Sequence, residues 1–108
     1  MTSPYVYAGL PLKIDYVVCN EFGITTDELY SHTRLRNVVL PRQIAMYFTA
    51  RKSKQTLTEI ANQYGLSNHA TAIYGIKTVK GLIKFDKAVR GKIVNINRIL
   101  TERKEIKN

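Results

Sequence analysis

Side chains able to form hydrogen bonds cluster in one short stretch of the chain, "SNHAT", in which Asn68, His69 and Thr71 surround the small residue Ala70. A turn at Gly65 is expected just before it, because glycine readily adopts left-handed backbone conformations. A helix whose only task is to bury one face does not need His and Thr on its first turn. Both can donate or accept hydrogen bonds, so the stretch predicts a binding surface at the start of a helix.

The helix that follows has two faces of different composition. At 100° per residue, one face is apolar and is expected to meet the core, and it comprises Ala72, Ile73, Ile76, Val79 and Ile83. The opposite face is small or polar, and it comprises Ala70, Thr71, Tyr74, Lys77 and Thr78. A face of this kind suits close approach to a partner. For His69 the alternative is a structural role, as a partly buried capping residue.

Charge indicates the class of partner. The chain has 17 Lys and Arg against 8 Asp and Glu, a net charge of +9, and a pI near 9.9. Six bases and no acid lie between Leu29 and Thr58. A compact basic region in a domain of high pI favours a polyanion, most commonly nucleic acid. The alternative is a basic face that only meets solvent.

The spacing of apolar residues and the positions of capping residues predict the helices in the first half of the chain. Helical spacing predicts a first helix over 12–22 that ends at Gly23. Thr25 or Thr26 is expected to cap a brief helix at "DELY". The segment "SHTRLRNVVL" lacks a helical stripe and is predicted to be a loop or an extended approach to the next helix, with Pro41 at the first position of a helix over 41–52.

The second half is predicted as three more helices. "TLTE" at 56–59 has the capping-box pattern and opens a helix through Tyr64. Gly65 ends this helix, and Ser67 or Asn68 caps the next, which gives helix-turn-helix spacing. Asp86 caps a last helix. The buried stripe expected on it comprises Val89, Ile93, Ile96 and Leu100.

The chain is therefore expected to be all-α, a compact helical bundle in one domain. We divide it into an N-terminal extension over 1–11, a helix-turn-helix domain over 12–100, and a basic tail over 101–108 that frays. No apolar run is long enough for a membrane span. The N-terminus lacks the pattern of a secretory signal, so a cytoplasmic location is expected.

Catalysis and cofactor binding find no support in the sequence. His32, His69 and Cys19 lack metal-ligand spacing, and no phosphate-binding "GxxxxGK[ST]" loop occurs. We expect no enzyme activity, cofactor or metal. Cys19 lies in the apolar "YVVC" and is interpreted as a small buried hydrophobe. The seven tyrosines are scattered and are interpreted as residues at the edges of the core, not as a platform for stacking bases.

Two blocks of the sequence carry a family resemblance. "SHTRLRNVVLPRQIAMYF" and "LTEIANQYGLSNHATAIYGIKTV" resemble the C-terminal DNA-binding domain of the bacterial replication initiator DnaA, over about residues 12–100. "PRQIAM" stands intact at 41–46. The opening of the recognition helix, typically Asp-His-Thr-Thr-Val, appears as "NHATA" at 68–72. The resemblance implies a TrpR-like helical bundle whose helix-turn-helix binds double-stranded DNA at a nine-base-pair DnaA box.

The resemblance also implies roles for individual residues. Arg34 falls where the family has a loop arginine that enters the minor groove, while His69 and Thr71 fall at base-contacting positions of the recognition helix. Arg42 and Gln43 match positions beside the DNA backbone. The other candidate DNA-binding residues are Arg36, Asn68, Ala70, Tyr74 and Lys77. A guanidinium is favoured in a narrow A·T-rich minor groove by its enhanced negative potential.

Two substitutions and one missing domain separate the chain from the family. Asn68 replaces the acid and Ala70 the first threonine of the signature, which is expected to shift base preference. The family carries an ATP-binding motor domain that 108 residues cannot hold. We expect a free-standing relative, in preference to an excised domain, that acts at the nucleoid in replication initiation or its regulation. The alternative is a module of the same fold that binds other replication or regulatory proteins.

Overall fold

The described part of the chain, residues 9–106, forms six helices joined by short connections. A computed structural model describes residues 9–106, and the side chains of residues 13–101. The helices are α1 (Gly9–Phe22), α2 (Thr26–Leu29), α3 (Arg36–Lys52), α4 (Leu57–Gln63), α5 (His69–Phe85) and α6 (Lys87–Ile106). No strand occurs in 9–106. The all-α helical bundle predicted from the sequence is confirmed.

Helix α1 ends where the sequence predicts. Ile14 and Val18 have no exposed surface, and Val17 is also buried. Gly23 has a φ of 69°, and the Ile24 N–H donates to the Cys19 carbonyl at 3.1 Å, which closes the helix in a left-handed cap. The helix begins at Gly9, so residues 9–11 of the predicted extension are helical. Residues 1–8 lie outside the described part of the chain.

Cys19 is buried on the inner face of α1, as interpreted from the sequence. Burial, together with the nearby negative charges of Asp15 and Glu28, raises the pKa of its thiol to about 12. A thiol with such a pKa holds its proton near neutral pH and behaves as a small apolar side chain.

The short helix α2 depends on its cap. The Thr25 hydroxyl accepts from the Glu28 N–H at 3.1 Å, and the Glu28 carboxylate accepts from the Thr25 N–H at 2.9 Å. This is a complete capping box, so two otherwise unpaired N–H groups are satisfied in a helix of only four residues. The prediction of a Thr-capped helix is confirmed, with Thr25 as the cap.

Helix α3 begins earlier than predicted, and the interpretation of "RNVVL" as loop is wrong. The N–H groups of Val38 and Val39 both donate to the Leu35 carbonyl, at 2.9 and 2.8 Å, and Val38 is buried. Burial of Val38 outweighs the weak helical preference of this β-branched stretch. Pro41 therefore lies inside the helix and not at its first position. Because proline has no N–H, the Asn37 carbonyl four residues earlier lacks its usual helical donor.

The helix-turn-helix is formed by α4, a turn over 64–68, and α5. Thr56 and Glu59 make the predicted capping box at 3.1 and 2.8 Å. Gly65 has a φ of 72°, and the Leu66 N–H donates to the Ala61 carbonyl at 2.8 Å. Leu66 packs against the core and anchors the turn. The predicted helix-turn-helix is confirmed.

Helix α6 continues beyond its predicted end. Asp86 accepts from the Val89 N–H at 3.1 Å, and the predicted stripe on α6 is buried. The helix extends to Ile106, and the fraying of the tail over 101–108 stays a prediction. Lys107 and Asn108 lie outside the described residues. Helix α3 occupies the centre of the bundle, between α1 and α5, and its buried face includes Ile44, Ala45 and Phe48.

Candidate nucleic-acid interface

The first turn of α5 is exposed and free of acids. Asn68 is the N-cap, and its Oδ1 accepts from the Ala70 N–H at 2.7 Å. His69, Ala70 and Thr71 follow, all exposed. Because Asn68 provides the cap, His69 is not needed as one, and the capping alternative for His69 is not supported. The helix thus presents His69 and Thr71 to solvent beside its positive dipole end.

The exposed face continues along α5 as the sequence predicts. Tyr74 has 67% of its surface exposed, and Lys77 is exposed one turn later. The Thr78 hydroxyl donates to the Tyr74 carbonyl at 2.9 Å, so it turns toward its own helix. On the other side Ala72 and Val79 have no exposed surface. The division of α5 into a core face and a polar outer face is confirmed.

Helix α5 lies unusually close to α3 at Gly75. A Cβ atom placed on Gly75 would lie 2.9 Å from Met46 Cε and 3.1 Å from Gln43 Cγ. Both distances are shorter than ordinary van der Waals contact, so glycine permits this close approach. Gln43, predicted to lie beside the DNA backbone, is half-buried at this crossing and helps to set the position of α5.

The arginine-bearing segment before α3 is held in an extended form. The Leu35 N–H donates to the Thr33 hydroxyl at 3.2 Å, and Leu35 has an extended backbone. Arg34 and Arg36 flank it with exposed side chains. Leu35 is the N-cap of α3 and gives it no side-chain cap, and the first turn of α3 has no acid. Two cations therefore lie beside a second positive helix terminus.

Arg42 has a structural role that differs from its predicted one. It is 8% exposed, and its guanidinium donates to three main-chain carbonyls: Leu29 at 2.9 Å, Thr33 at 3.2 Å and Ser31 at 2.7 Å. Partial desolvation lowers its pKa from the ordinary arginine value. With its donors directed to main-chain carbonyls, Arg42 supports the loop that precedes α3.

The two exposed segments meet at His32 and Gly65. A Cβ placed on Gly65 would lie 3.5 Å from His32 Cε1, at ordinary contact distance. His32 lies two residues before Arg34, and Gly65 lies four residues before His69. The loop that carries Arg34 therefore adjoins the turn that leads into α5. No local sequence pattern predicts this contact, because it joins residues 33 positions apart.

Two further features were sought among the described residues: a metal-binding cluster and a membrane-spanning helix. Among these residues, no group of three or more His, Cys, Asp or Glu is placed to hold a metal ion. None of the helices described is long and apolar enough to cross a membrane.

Comparison with known proteins agrees with this geometry. Residues 11–79 match the family described as bacterial DnaA protein helix-turn-helix. The chromosomal replication initiator protein DnaA of Flavobacterium psychrophilum is 39% identical over 93 residues, covering 83% of this chain and 20% of that protein. That of Ehrlichia ruminantium is 37% identical over 83 residues, covering 77% and 18%.

The DnaA protein of Thermus thermophilus is 35% identical over 91 residues, covering 84% of this chain and 21% of that protein. The chain thus spans about a fifth of the length of the relatives it matches. The matched residues include the Arg34 segment, the helix-turn-helix and most of α5. The chain belongs to the bacterial DnaA protein helix-turn-helix family.

Proposed function

We propose that this chain binds double-stranded DNA sequence-specifically, at a site similar to a DnaA box. The observation that carries the proposal is the contact between the Arg34 loop and the turn before α5 at His32 and Gly65. This contact brings an exposed arginine segment beside the exposed, acid-free first turn of a helix-turn-helix. Relatives of the chain are named chromosomal replication initiators, which supports a role in replication initiation or its regulation, at the nucleoid in the cytoplasm.

In the proposed complex, the first turn of α5 enters the major groove. There His69 and Thr71 meet base edges, while Ala70 offers a methyl group to a thymine methyl. Tyr74 and Lys77 lie one and two turns further along the same face. The Asn68 carboxamide oxygen is engaged in the cap, so its amide nitrogen is the group that can donate to a phosphate or a base.

Arg34 is proposed to enter the adjacent minor groove. Its side chain is exposed, next to the extended backbone of Leu35, and A·T-rich grooves attract a guanidinium. Arg36 and the N-terminus of α3, which has no side-chain cap, are proposed to contact a phosphate, because free N–H groups and a cation together favour an anion. Arg42 is left out of this interface.

The experiment is a selection of bound fragments from random duplex DNA, followed by titrations of the selected and a scrambled duplex over a range of salt. With about six phosphate contacts, the slope of log affinity against log salt should be near −5 for both. The selected duplex should bind more tightly at every salt concentration. A slope near zero, or no duplex preferred over the scrambled one, would refute the proposal.

The same titration tests the alternative function, a module that binds replication or regulatory proteins. Exposed apolar groups at Leu35 and Tyr74, 65% and 67% exposed, lie on the two segments of the proposed interface. Association through them would be nearly independent of salt. Weak, salt-independent binding to DNA would therefore favour the alternative.

A further inference from the structure

Asp15 is a buried carboxyl group that plays no part in the proposed contacts with DNA. It lies on α1 with no exposed surface, next to the core residue Ile14 and one turn from Val18. Burying a carboxyl group in such surroundings is costly unless hydrogen bonds compensate. The residues that donate hydrogen bonds to Asp15 therefore indicate its role in the fold.

The hydrogen bonds to Asp15 come from two other helices. The Tyr30 hydroxyl donates to Oδ2, and the Tyr64 hydroxyl donates to Oδ1. Gln63 Nε2 donates to Oδ2 at 3.1 Å, and Gln63 Oε1 accepts in turn from Gln55 Nε2 at 2.9 Å. One carboxyl group thus joins α1 to the ends of α2 and α4.

The positions of these partners are the informative feature. Tyr30 is the C-cap residue of α2 and lies four residues before Arg34. Tyr64 is the C-cap residue of α4 and directly precedes Gly65, at the start of the turn into α5. The Tyr30 and Tyr64 rings lie 6.0 Å apart. Asp15 therefore contacts the residue at the start of each segment that carries a proposed DNA contact.

From this arrangement we propose that Asp15 is a positioning residue for DNA recognition. Asp15 holds the Arg34 loop in a fixed position relative to the turn before α5, so that the minor-groove and major-groove contacts form at the same time. The inference rests on the proposed function. Specific binding needs both sets of groove contacts at once, whereas binding to random DNA depends on phosphate contacts that tolerate small displacements. Asp15 should therefore matter for specific binding and little for random binding.

The first test compares affinities of variants for the selected duplex and a scrambled duplex. Asp15→Ala should weaken binding to the selected duplex by about tenfold or more, and to the scrambled duplex by less than about twofold. Asp15→Asn retains one acceptor oxygen and should recover much of the loss. Tyr30→Phe and Tyr64→Phe each remove one hydroxyl and should fall between wild type and Asp15→Ala.

A matched control is Thr49→Val. The buried Thr49 hydroxyl lies 3.3 Å from the Tyr64 hydroxyl, so this variant removes a polar contact from the same tyrosine without touching Asp15. All proteins are compared at a temperature where circular dichroism shows each to be fully folded. Equal weakening on both duplexes by Asp15→Ala, or the same loss of preference in Thr49→Val, would overturn the inference. If Asp15→Ala does not fold, the two tyrosine variants decide the outcome.

A second test needs no DNA and separates this inference from the proposed function. Amide NMR shifts are compared between wild type, Tyr30→Phe and Tyr64→Phe. Tyr30→Phe should displace the amides of 65–69, and Tyr64→Phe those of 31–35, because Asp15 links the two segments. Shifts confined to the substituted segment would overturn the positioning role. A wild-type protein that prefers no duplex would refute the proposed function alone, and the NMR result would still decide the role of Asp15.

Discussion

Arg42 donates from Nη2 to the Ser31 carbonyl at 2.7 Å, and through this bond and two others its guanidinium supports the loop that carries Arg34. An arginine in the intact "PRQIAM" block therefore acts inside the protein. It satisfies carbonyls that would otherwise be left unpaired where the chain passes from α2 to α3. The loop that presents Arg34 is positioned by a second arginine, eight residues further along the chain.

The first prediction concerns Arg42→Lys. Lysine keeps the charge but cannot reach three carbonyls with one ammonium group. We expect the free energy of unfolding to fall by about 2–4 kcal/mol, since each hydrogen bond to a charged group contributes about 1.5–3 kcal/mol. Urea denaturation monitored by circular dichroism measures the loss.

Arg51→Lys is the matched control for this change. Arg51 is also on α3 but is exposed, and its guanidinium lies 5.5 Å from the centre of the Tyr47 ring. It should cost about 0.5 kcal/mol or less. Unchanged stability in Arg42→Lys, together with a shallower salt slope for DNA binding in Arg42→Ala, would return Arg42 to the phosphate-contacting role that the family resemblance implied.

The second prediction separates groove contacts from phosphate contacts. Arg34→Ala and His69→Ala should each weaken binding to the selected duplex by about 1–3 kcal/mol, and less on scrambled DNA. Lys52→Ala is the comparison, because Lys52 is an exposed residue in the last turn of α3. It should weaken both duplexes alike or neither. Equal losses on the two duplexes for His69→Ala would remove His69 from the base-reading set.

The helix caps and the turn before α5 show which parts of the fold can be predicted from sequence. Thr56, Asp86 and Gly65 were identified correctly because caps and left-handed turns depend on a few neighbouring residues. The two faces of α5 follow from its own periodicity. Local patterns of this kind were enough to predict the helix-turn-helix and its exposed first turn.

The errors share a different cause. The start of α3 depends on the burial of Val38 against other helices, which no local pattern records. Local patterns likewise do not record the hydrogen bonds of Arg42, whose carbonyl partners lie 9 to 13 residues away, or those of Asp15, whose partner Tyr64 lies 49 residues away. The tyrosines were interpreted as core-edge residues, and for Tyr64 that is wrong, because it is buried with its hydroxyl bonded to Asp15.

The third prediction is a pH dependence of stability that arises from Asp15. Burial raises its pKa from 3.8 to about 6, although hydrogen bonds from Tyr30, Tyr64 and Gln63 act in the opposite direction. Below pH 3.8 the Asp15 carboxyl group is protonated in both the folded and the unfolded protein, so its contribution to stability is fully present. As pH rises through the folded-state pKa, the folded protein must bear a buried charge and this contribution is lost.

The full loss is about 3 kcal/mol, from a shift of about two pKa units at 1.36 kcal/mol each. The free energy of unfolding from urea titrations should therefore fall between about pH 3 and pH 7 in wild type relative to Asp15→Asn, which has no carboxyl group to ionise at this position. Taking the difference between the two proteins isolates the contribution of the Asp15 carboxyl group. A constant difference across this range would show that Asp15 does not titrate there.

The last prediction concerns Asn68 and Ala70, where the chain departs from the family signature. In Asn68→Asp the carboxylate can still cap α5 through the Ala70 N–H, and its charge at the helix N-terminus should stabilise the protein by about 0.3–1 kcal/mol. The same charge repels phosphate, so binding to scrambled DNA should weaken.

Ala70→Thr adds a hydroxyl at an exposed position facing the proposed groove. It should supply any gain in preference for a DnaA box, about 1–3 kcal/mol if one base contact is regained. Titrating both single variants and the double variant against the box, a single-mismatch box and scrambled DNA, at one salt concentration, separates the two effects. If the double variant and wild type discriminate identically among the three duplexes, the first turn of α5 does not read bases.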